Sequence, residues 1–465
     1  MKVPAEAYYG IHTLRSHENF GLSGIRLHPE LIRALAEVKK ACALANLRTG
    51  HLDDKRANAI CAACDEIASG SLHNEFITDA FQGGAGTSAN MNANEVVANR
   101  AIEILGGKKG DYSIVHPLDH VNLAQSTNDV FPTAVKLAAI RLLIPASHAM
   151  ADLQRAFQEK ENEFAHVLKI GRTEMQDAVP VTLGQEFAAW AQAVQRDWWR
   201  LYKVEERLRQ VNLGGTAVGT GLNADRRYVY IVVDILREIS GVPLARAENM
   251  IDATQNLDVF AEVSGLVKAA AVNLAKIASD LRFLSSGPRA GIGEIKLPAL
   301  QAGSSIMPGK VNPVVTEAVS QAAFQIMAND QAITLAAMSG QLELNAFLPM
   351  LSHNLFGSLH LLSAAAQLLG EKCIKGIVAD EERCSQLVEH SFAMLTALSP
   401  YIGYEAASEI AKEAGDNSRT IREIALEKGY FTREQLDVIL TAVEMTKPGI
   451  AGLKKVKGGR QKEES

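Results

Sequence analysis

Cysteine is scarce in this 465-residue chain: there are five, an odd number. A disulfide framework needs pairs and belongs to short secreted chains, so free thiols in a reducing, cytoplasmic compartment are expected. Cys61 and Cys64 form a C-x-x-C, but they sit in a helical-looking run from Ala59 to Cys64. No second close pair completes a zinc site, so plain buried cysteines are expected. Long apolar runs are missing as well. No window approaches ~18 uninterrupted apolar residues, so no spanning helix and no membrane partner are expected. Met1-Lys2-Val3-Pro4 opens without an apolar stretch, so no signal peptide is expected. Positive charge is not in excess: 47 Lys and Arg stand against 53 Asp and Glu, a net charge of -6, which leaves no nucleic-acid footprint. The only basic cluster, Lys454 to Lys462, is short and glycine-containing and is expected to be a solvated end. No internal repeat is found, and no low-complexity segment beyond that tail.

What remains is an ordinary globular composition, 47% hydrophobic and 22% charged, with apolar material for a large core. Its dominant signal is helical periodicity. From Phe260, apolar residues recur at Val263, Val267, Ala270, Leu274, Ile277, Leu281 and Leu284, one stripe along a helix of about eight turns. Further long segments run from Thr133 to about Val167, with a kink or restart expected at Pro145, from Phe187 to Val211, and from Val314 to Met338. Long helices with few strand-like alternations predict a mainly all-α fold built on a helical bundle. Their wide apolar arcs exceed one bundle seam, so self-association through the helices is expected. The chain divides at soft boundaries into an amino-terminal region (1–130), a central bundle (131–382) and a small helical carboxy-terminal region (383–465).

Between the long helices lie three polar, glycine-containing segments whose polarity is hydroxyl and amide rather than charge. The first, Gly83 to Glu95, is a glycine turn feeding a helix. Such a turn is a ready anion site, although it lacks the Gly-Lys-Ser/Thr ending of a phosphate loop; a simple capped helix start is the alternative. The second, His116 to Asp129, places Ser126, Thr127 and Asn128 just before a helix expected to start near Pro132. For it too an N-cap region is the alternative, with histidines that are merely satisfied polar groups. The third, Gly303 to Pro313, holds two serines, two glycines, two prolines and one lysine, a poor core and a poor helix. Loops of that composition are disproportionately functional.

Gly303-Ser304-Ser305-Ile306-Met307-Pro308-Gly309-Lys310-Val311-Asn312-Pro313 resembles the signature loop of the aspartase/fumarase superfamily. Val311-Asn312 is similar to its fumarase and aspartase branches; the argininosuccinate and adenylosuccinate lyases carry a second basic residue before the asparagine. The other two segments match in order and spacing, as does Gly171 to Glu186, and the resemblance runs from about Val3 to Gly452. It implies a three-domain subunit with a five-helix central bundle, a homotetramer with a twenty-helix core, and active sites each built from three subunits. It also implies an anti-elimination that releases fumarate through an aci-carboxylate dianion. By the same resemblance Ser304 is the base. Thr87, Ser126, Thr127 and Ser305 hold the carboxylate that takes up charge, and Thr173, Lys310 and Asn312 hold the other. Asn128, with Thr87 and Ser126, takes the leaving group. Preorganised donors suit this chemistry, each worth about 2.7–4 kcal/mol at comparable sites. No cofactor is required; a divalent cation as activator stays open.

Two positions separate the branches. Gly10-Ile11-His12-Thr13-Leu14-Arg15 resembles aspartases, where fumarases tend to carry Gly-Ala-Gln-Thr-Gln-Arg. Glu174 stands where fumarases have histidine. A carboxylate there disfavours a bare dicarboxylate but tolerates one carrying an ammonium. Elimination of ammonia from aspartate is therefore the expected activity. Fumarate hydration and a non-catalytic structural role are the alternatives. Leu118 replaces the asparagine usual after His-Pro, which puts a secondary dicarboxylate site in doubt.

Overall fold

A computed structural model describes residues 2–417 and 419–456; the basic tail beyond 456 lies outside them. Among the described residues, five helices have 25 residues or more: Thr127–Glu163, Leu183–Leu208, Asp258–Leu284, Val314–Met338 and Leu348–Lys372. Among the described residues, sheet is limited to three two-stranded pairs, so the mainly all-α expectation holds. The stripe from Phe260 to Leu284 is buried at all eight positions read from the sequence. Each large side chain in it contributes about 1.5–3 kcal/mol by leaving water.

The helix expected near Pro132 begins earlier, at Thr127, and runs unbroken to Glu163 through both Pro132 and Pro145. Proline has no N–H to give the carbonyl four residues back. For Pro132 that carbonyl belongs to Asn128, and Asn212 Nδ2 takes it at 2.9 Å. A side-chain amide thus replaces the missing helical bond. No restart occurs at Pro145. This helix is also long and apolar enough to cross a membrane, but 78% of its apolar window is buried inside the fold, as befits a core helix. All five cysteines are free and buried. Cys61 and Cys64 lie in the helix Asp54–Ala68, and burial pushes the Cys61 thiol up to about 11 and the Cys64 thiol well above its ordinary value.

The chain forms two compact units, and the division falls within each of the five long helices. The first comprises Met1–Ala149, Asp197–Val272 and Gln321–Ala364. In it the helix Pro29–Thr49 packs on Asp54–Ala68 and Arg226–Ser240, and Thr87–Ile104 packs beside them. Buried Glu95 accepts from the amides of Gly10, His12 and Thr13 and from the Thr13 hydroxyl, pinning the amino-terminal helix Ile11–Asn19. The second unit comprises Met150–Arg196, Asn273–Ser320 and Ala365–Ser465. It contains an antiparallel hairpin, Leu168–Thr173 with Gln176–Thr182, paired from Leu168↔Thr182 to Thr173↔Gln176. Short helices after Glu381 close a cluster around Leu398, Ile410, Ile424, Leu436 and Ile439, which also takes in Ile170 of the hairpin.

Candidate active site

The first unit brings two of the polar segments together. Gly84, Ala85 and Gly86 all have positive φ, and Gly86 is the N-cap of the helix Thr87–Ile104, with no side-chain cap. No Ser or Asn therefore caps this helix from the N-cap position. A Cβ on Gly86 would lie 2.5 Å from the Phe131 ring, so only glycine lets the turn close on the long helix. Gln82 Oε1 accepts from the Ala89 amide at 2.8 Å and supplies the capping that the N-cap lacks. The exposed Thr87 hydroxyl donates to Gly84 O at 2.7 Å. Asn90 then bridges to the second segment, with Nδ2 3.1 Å from Thr127 Oγ1 and 3.2 Å from Asn122 Oδ1.

Ser126, Thr127 and Asn128 form the start of the long helix and are half-buried. Ser126 Oγ accepts from the Asn128 amide at 3.2 Å, which leaves its own proton to donate. Thr127 Oγ1 likewise accepts from Asn90 and keeps its proton free. Asn128 Nδ2 donates to Ala217 O at 2.7 Å, which leaves Oδ1 as an acceptor. Asp129, fully buried, accepts from the amides of Ser126, Gly214 and Thr216 at 3.0–3.1 Å. Burial pushes its carboxyl up to about 6 against those stabilising amides. Asp129, Asn212 and the loop Gly214–Gly221 escaped the sequence reading; the signal was there in Gly214, Gly215, Gly219 and Gly221, four glycines in eight residues. His116 Nδ1 accepts from the amides of Leu118 and Asp119, and His120 Nδ1 from that of His116, so both histidines are satisfied polar groups.

The second unit carries the other candidates. Thr173 and Glu174 are exposed at the tip of the hairpin. Glu174 and Met175 have φ of 55° and 64°, a two-residue turn with both central residues left-handed. That twist suits a hairpin, but non-glycine residues adopt it at a cost of ~1–2 kcal/mol each. The hairpin base is held by a buried ion cluster. Arg172 engages fully buried Glu294 through two bonds at 3.0 and 2.9 Å, and buried Lys169 lies 3.2 Å from Glu294 and 2.8 Å from Glu186. Nothing in the linear pattern marked Glu294.

In the third segment, Ser304 Oγ accepts from the amides of Ile306 at 3.1 Å and Met307 at 3.0 Å. Two N–H groups aimed at one hydroxyl oxygen favour its deprotonated form. Asn312 Nδ2 donates to Gly303 O at 2.6 Å and closes the loop at its neck. A Cβ on Gly303 would lie 2.1 Å from Lys310 O, so the neck requires glycine. Ser305 and Lys310 are exposed, and Ile306 is 87% exposed, an apolar side chain held out on a loop tip. Lys310 and Asn312 line a cavity of ≈ 700 Å³ with Arg282, Phe283 and Ser286; Ser304 and Ser305 are not on its wall. Thr87, Ser126, Thr127 and Asn128 thus lie in the first unit, and Thr173, Glu174, Ser304, Ser305, Lys310 and Asn312 in the second. Among the described residues no group of three or more His, Cys, Asp or Glu side chains is placed to hold a metal ion.

Residues 1–328 match a family described as Lyase, and residues 394–447 one described as Fumarase C C-terminus. The chain is 51% identical over 451 residues to the aspartate ammonia-lyase of Bacillus subtilis (strain 168), spanning 97% of this chain and 95% of that protein. It is 45% identical over 450 residues to that of Escherichia coli (strain K12), with 96% and 94% covered. Among solved structures, fumarate lyase:delta crystallin from Brucella melitensis, bound to cobalt, superposes with a TM-score of 0.94 at 50% identity, covering 96% of this chain and 98% of that one. Recombinant class II fumarase from Schistosoma mansoni gives 0.91 at 34% identity, covering 96% and 97%. The chain belongs to the aspartase/fumarase superfamily of lyases. Within it, the curated relatives at about half identity over the whole length are aspartate ammonia-lyases.

Proposed function

We infer that this protein is an aspartate ammonia-lyase, which eliminates ammonia from L-aspartate to give fumarate and runs the reverse addition. The observation that carries this reading is its identity of 45–51% to aspartate ammonia-lyases over at least 96% of its length. Fumarase, by contrast, is represented among the solved structures at 34%.

Ser304 is the base that removes the proton from the carbon beside the carboxylate. A serine is weakly basic unless its alkoxide is stabilised, and the amides of Ile306 and Met307 supply that stabilisation. The electron pair left on carbon moves onto the neighbouring carboxylate as an aci-carboxylate dianion, toward which Ser126, Thr127 and Ser305 direct hydroxyl donors. Ser126 and Thr127 suit this because each oxygen already accepts one bond and keeps its proton for substrate. Lys310, Asn312 and Thr173 hold the other carboxylate. The carbon–nitrogen bond then breaks, and the nitrogen departs from Asn128 Oδ1, an acceptor oriented by the bond of Nδ2 to Ala217. Thr87, whose proton is committed to Gly84 O, offers lone pairs to the same amine. Closure of the Gly303–Pro313 loop excludes water and strengthens each of these interactions. The steps need no cofactor. The active unit is a cytoplasmic homotetramer of three-domain subunits, with each site shared by three chains.

Incubation with L-aspartate is expected to release fumarate and ammonia in equal amounts. Fumarate without ammonia, or neither product, contradicts the reading.

A further inference from the structure

Beneath the turn that carries Ser126, Thr127 and Asn128 lies a charged group that the mechanism above does not use. Lys39, on the helix Pro29–Thr49, has 0% of its surface exposed. It occupies an apolar stripe, Ile32-Leu35-Lys39-Cys42, where a lysine is out of place. A buried ammonium is costly unless its protons are satisfied. Here Nζ donates to Asn122 Oδ1 at 2.9 Å and to Gln125 Oε1 at 2.8 Å.

Both acceptors belong to the turn, and each passes the constraint on. Gln125 Nε2 donates to Val121 O at 2.9 Å and Leu123 O at 3.2 Å. Asn122 Oδ1 also accepts from Asn90 and Asn94, and Asn90 in turn donates to Thr127 Oγ1. Asn46, one helical turn beyond Cys42, donates to Leu123 O at 3.0 Å. Ala124, between these anchors, is held at φ 61°. Asp129, fully buried on the other side of Ser126, faces Lys39 as its counter-charge without touching it.

We propose that Lys39 is a positioning residue: its buried ammonium holds the Asn122–Asn128 turn in the shape that presents Ser126, Thr127 and Asn128 to substrate. The inference rests on the aspartate ammonia-lyase reading of those three residues. Its geometry makes the hold depend on charge, since a neutral amine has one donor fewer and a weaker pull on two carboxamide oxygens. Burial pushes the Lys39 ammonium down to about 8, with Cys42, Asp129 and Cys64 the titratable groups acting on it. As pH rises through about 8 the ammonium loses its proton and the turn loosens. Turnover should therefore decline through that range for a reason that lies outside the reacting atoms.

Two variants test this, each assayed for fumarate release from L-aspartate between pH 6.5 and 9.5 alongside the wild type. Lys39→Met keeps the length of the side chain and removes its charge. It should lower kcat at pH 7 at least about thirtyfold while the inhibition constant for succinate changes less than about threefold, because precise donors matter most in the transition state. Its residual activity should no longer decline through pH 8. Asn122→Asp keeps the acceptor for Lys39, Asn90 and Asn94 and places a negative charge beside the ammonium. It should move the alkaline decline upward by about one pH unit, since an opposite charge favours the charged form. If Lys39→Met does not fold, the Asn122→Asp profile decides alone. A Lys39→Met enzyme within threefold of wild type, or an Asn122→Asp decline at the wild-type pH, overturns the assignment. Wild type that is active while these shifts fail sinks this inference alone; wild type inactive on aspartate sinks the reading beneath it.

Discussion

Ser304 carries the most specific expectation at the scale of single residues. Its oxygen already sits on the amides of Ile306 and Met307, the arrangement an alkoxide needs. Ser304→Ala should lower kcat by about 10²–10⁴-fold, the range of general-base catalysis, and leave succinate binding nearly unchanged. A variant that keeps a tenth of the wild-type kcat shows that another group is the base. Glu174 is the residue proposed to bear on substrate choice. It stands exposed at the hairpin tip, held by a left-handed turn, and under the proposed reading its carboxylate repels a dicarboxylate substrate. The ammonium of aspartate offsets part of that repulsion, and malate carries no such group. Glu174→Gln should remain active on aspartate and bind fumarate more tightly by about 1 kcal/mol, roughly fivefold. Fumarate inhibition that is unchanged or weaker in the variant means the side chain points away from the substrate.

At the scale of elements, the hairpin that presents Thr173 and Glu174 depends on a buried carboxylate far off in sequence. Glu294 holds Arg172 and Lys169 together, and removing its charge leaves Arg172 without its carboxylate and Lys169 with Glu186 alone. Breaking a buried pair of this kind costs about 3–5 kcal/mol, so Glu294→Gln should lower the thermal midpoint clearly and raise KM for aspartate. An unchanged midpoint would show that Lys169 and Arg172 find other acceptors. The long helices were legible in sequence because apolar spacing is a local signal: Asp258–Leu284 and Val314–Met338 appear within a few residues of their expected limits. The start of the helix at Thr127 was not, because it depends on Asn212 completing the bond that Pro132 cannot make. The same holds for Lys39, Asp129 and Glu294. Each is a charged residue explained only by partners that the fold brings from elsewhere, whereas the hydroxyl-rich loops stood out by composition alone.

The whole chain divides its candidate residues between two compact units, and a homotetramer sharing its sites would join segments from different subunits. Two inactive variants, Ser304→Ala and Thr173→Ala, should then complement each other. Mixing them under conditions that re-assort subunits should restore some activity, and a fully active monomer in sedimentation would exclude shared sites. What the protein acts on is tested most directly by one comparison, kcat/KM for L-aspartate against L-malate, each followed by the ultraviolet absorbance of fumarate. A preference for aspartate of at least about a hundredfold, ~2.7 kcal/mol in transition-state binding, is the expected result. Equal rates on the two substrates, or a preference for malate, would contradict it.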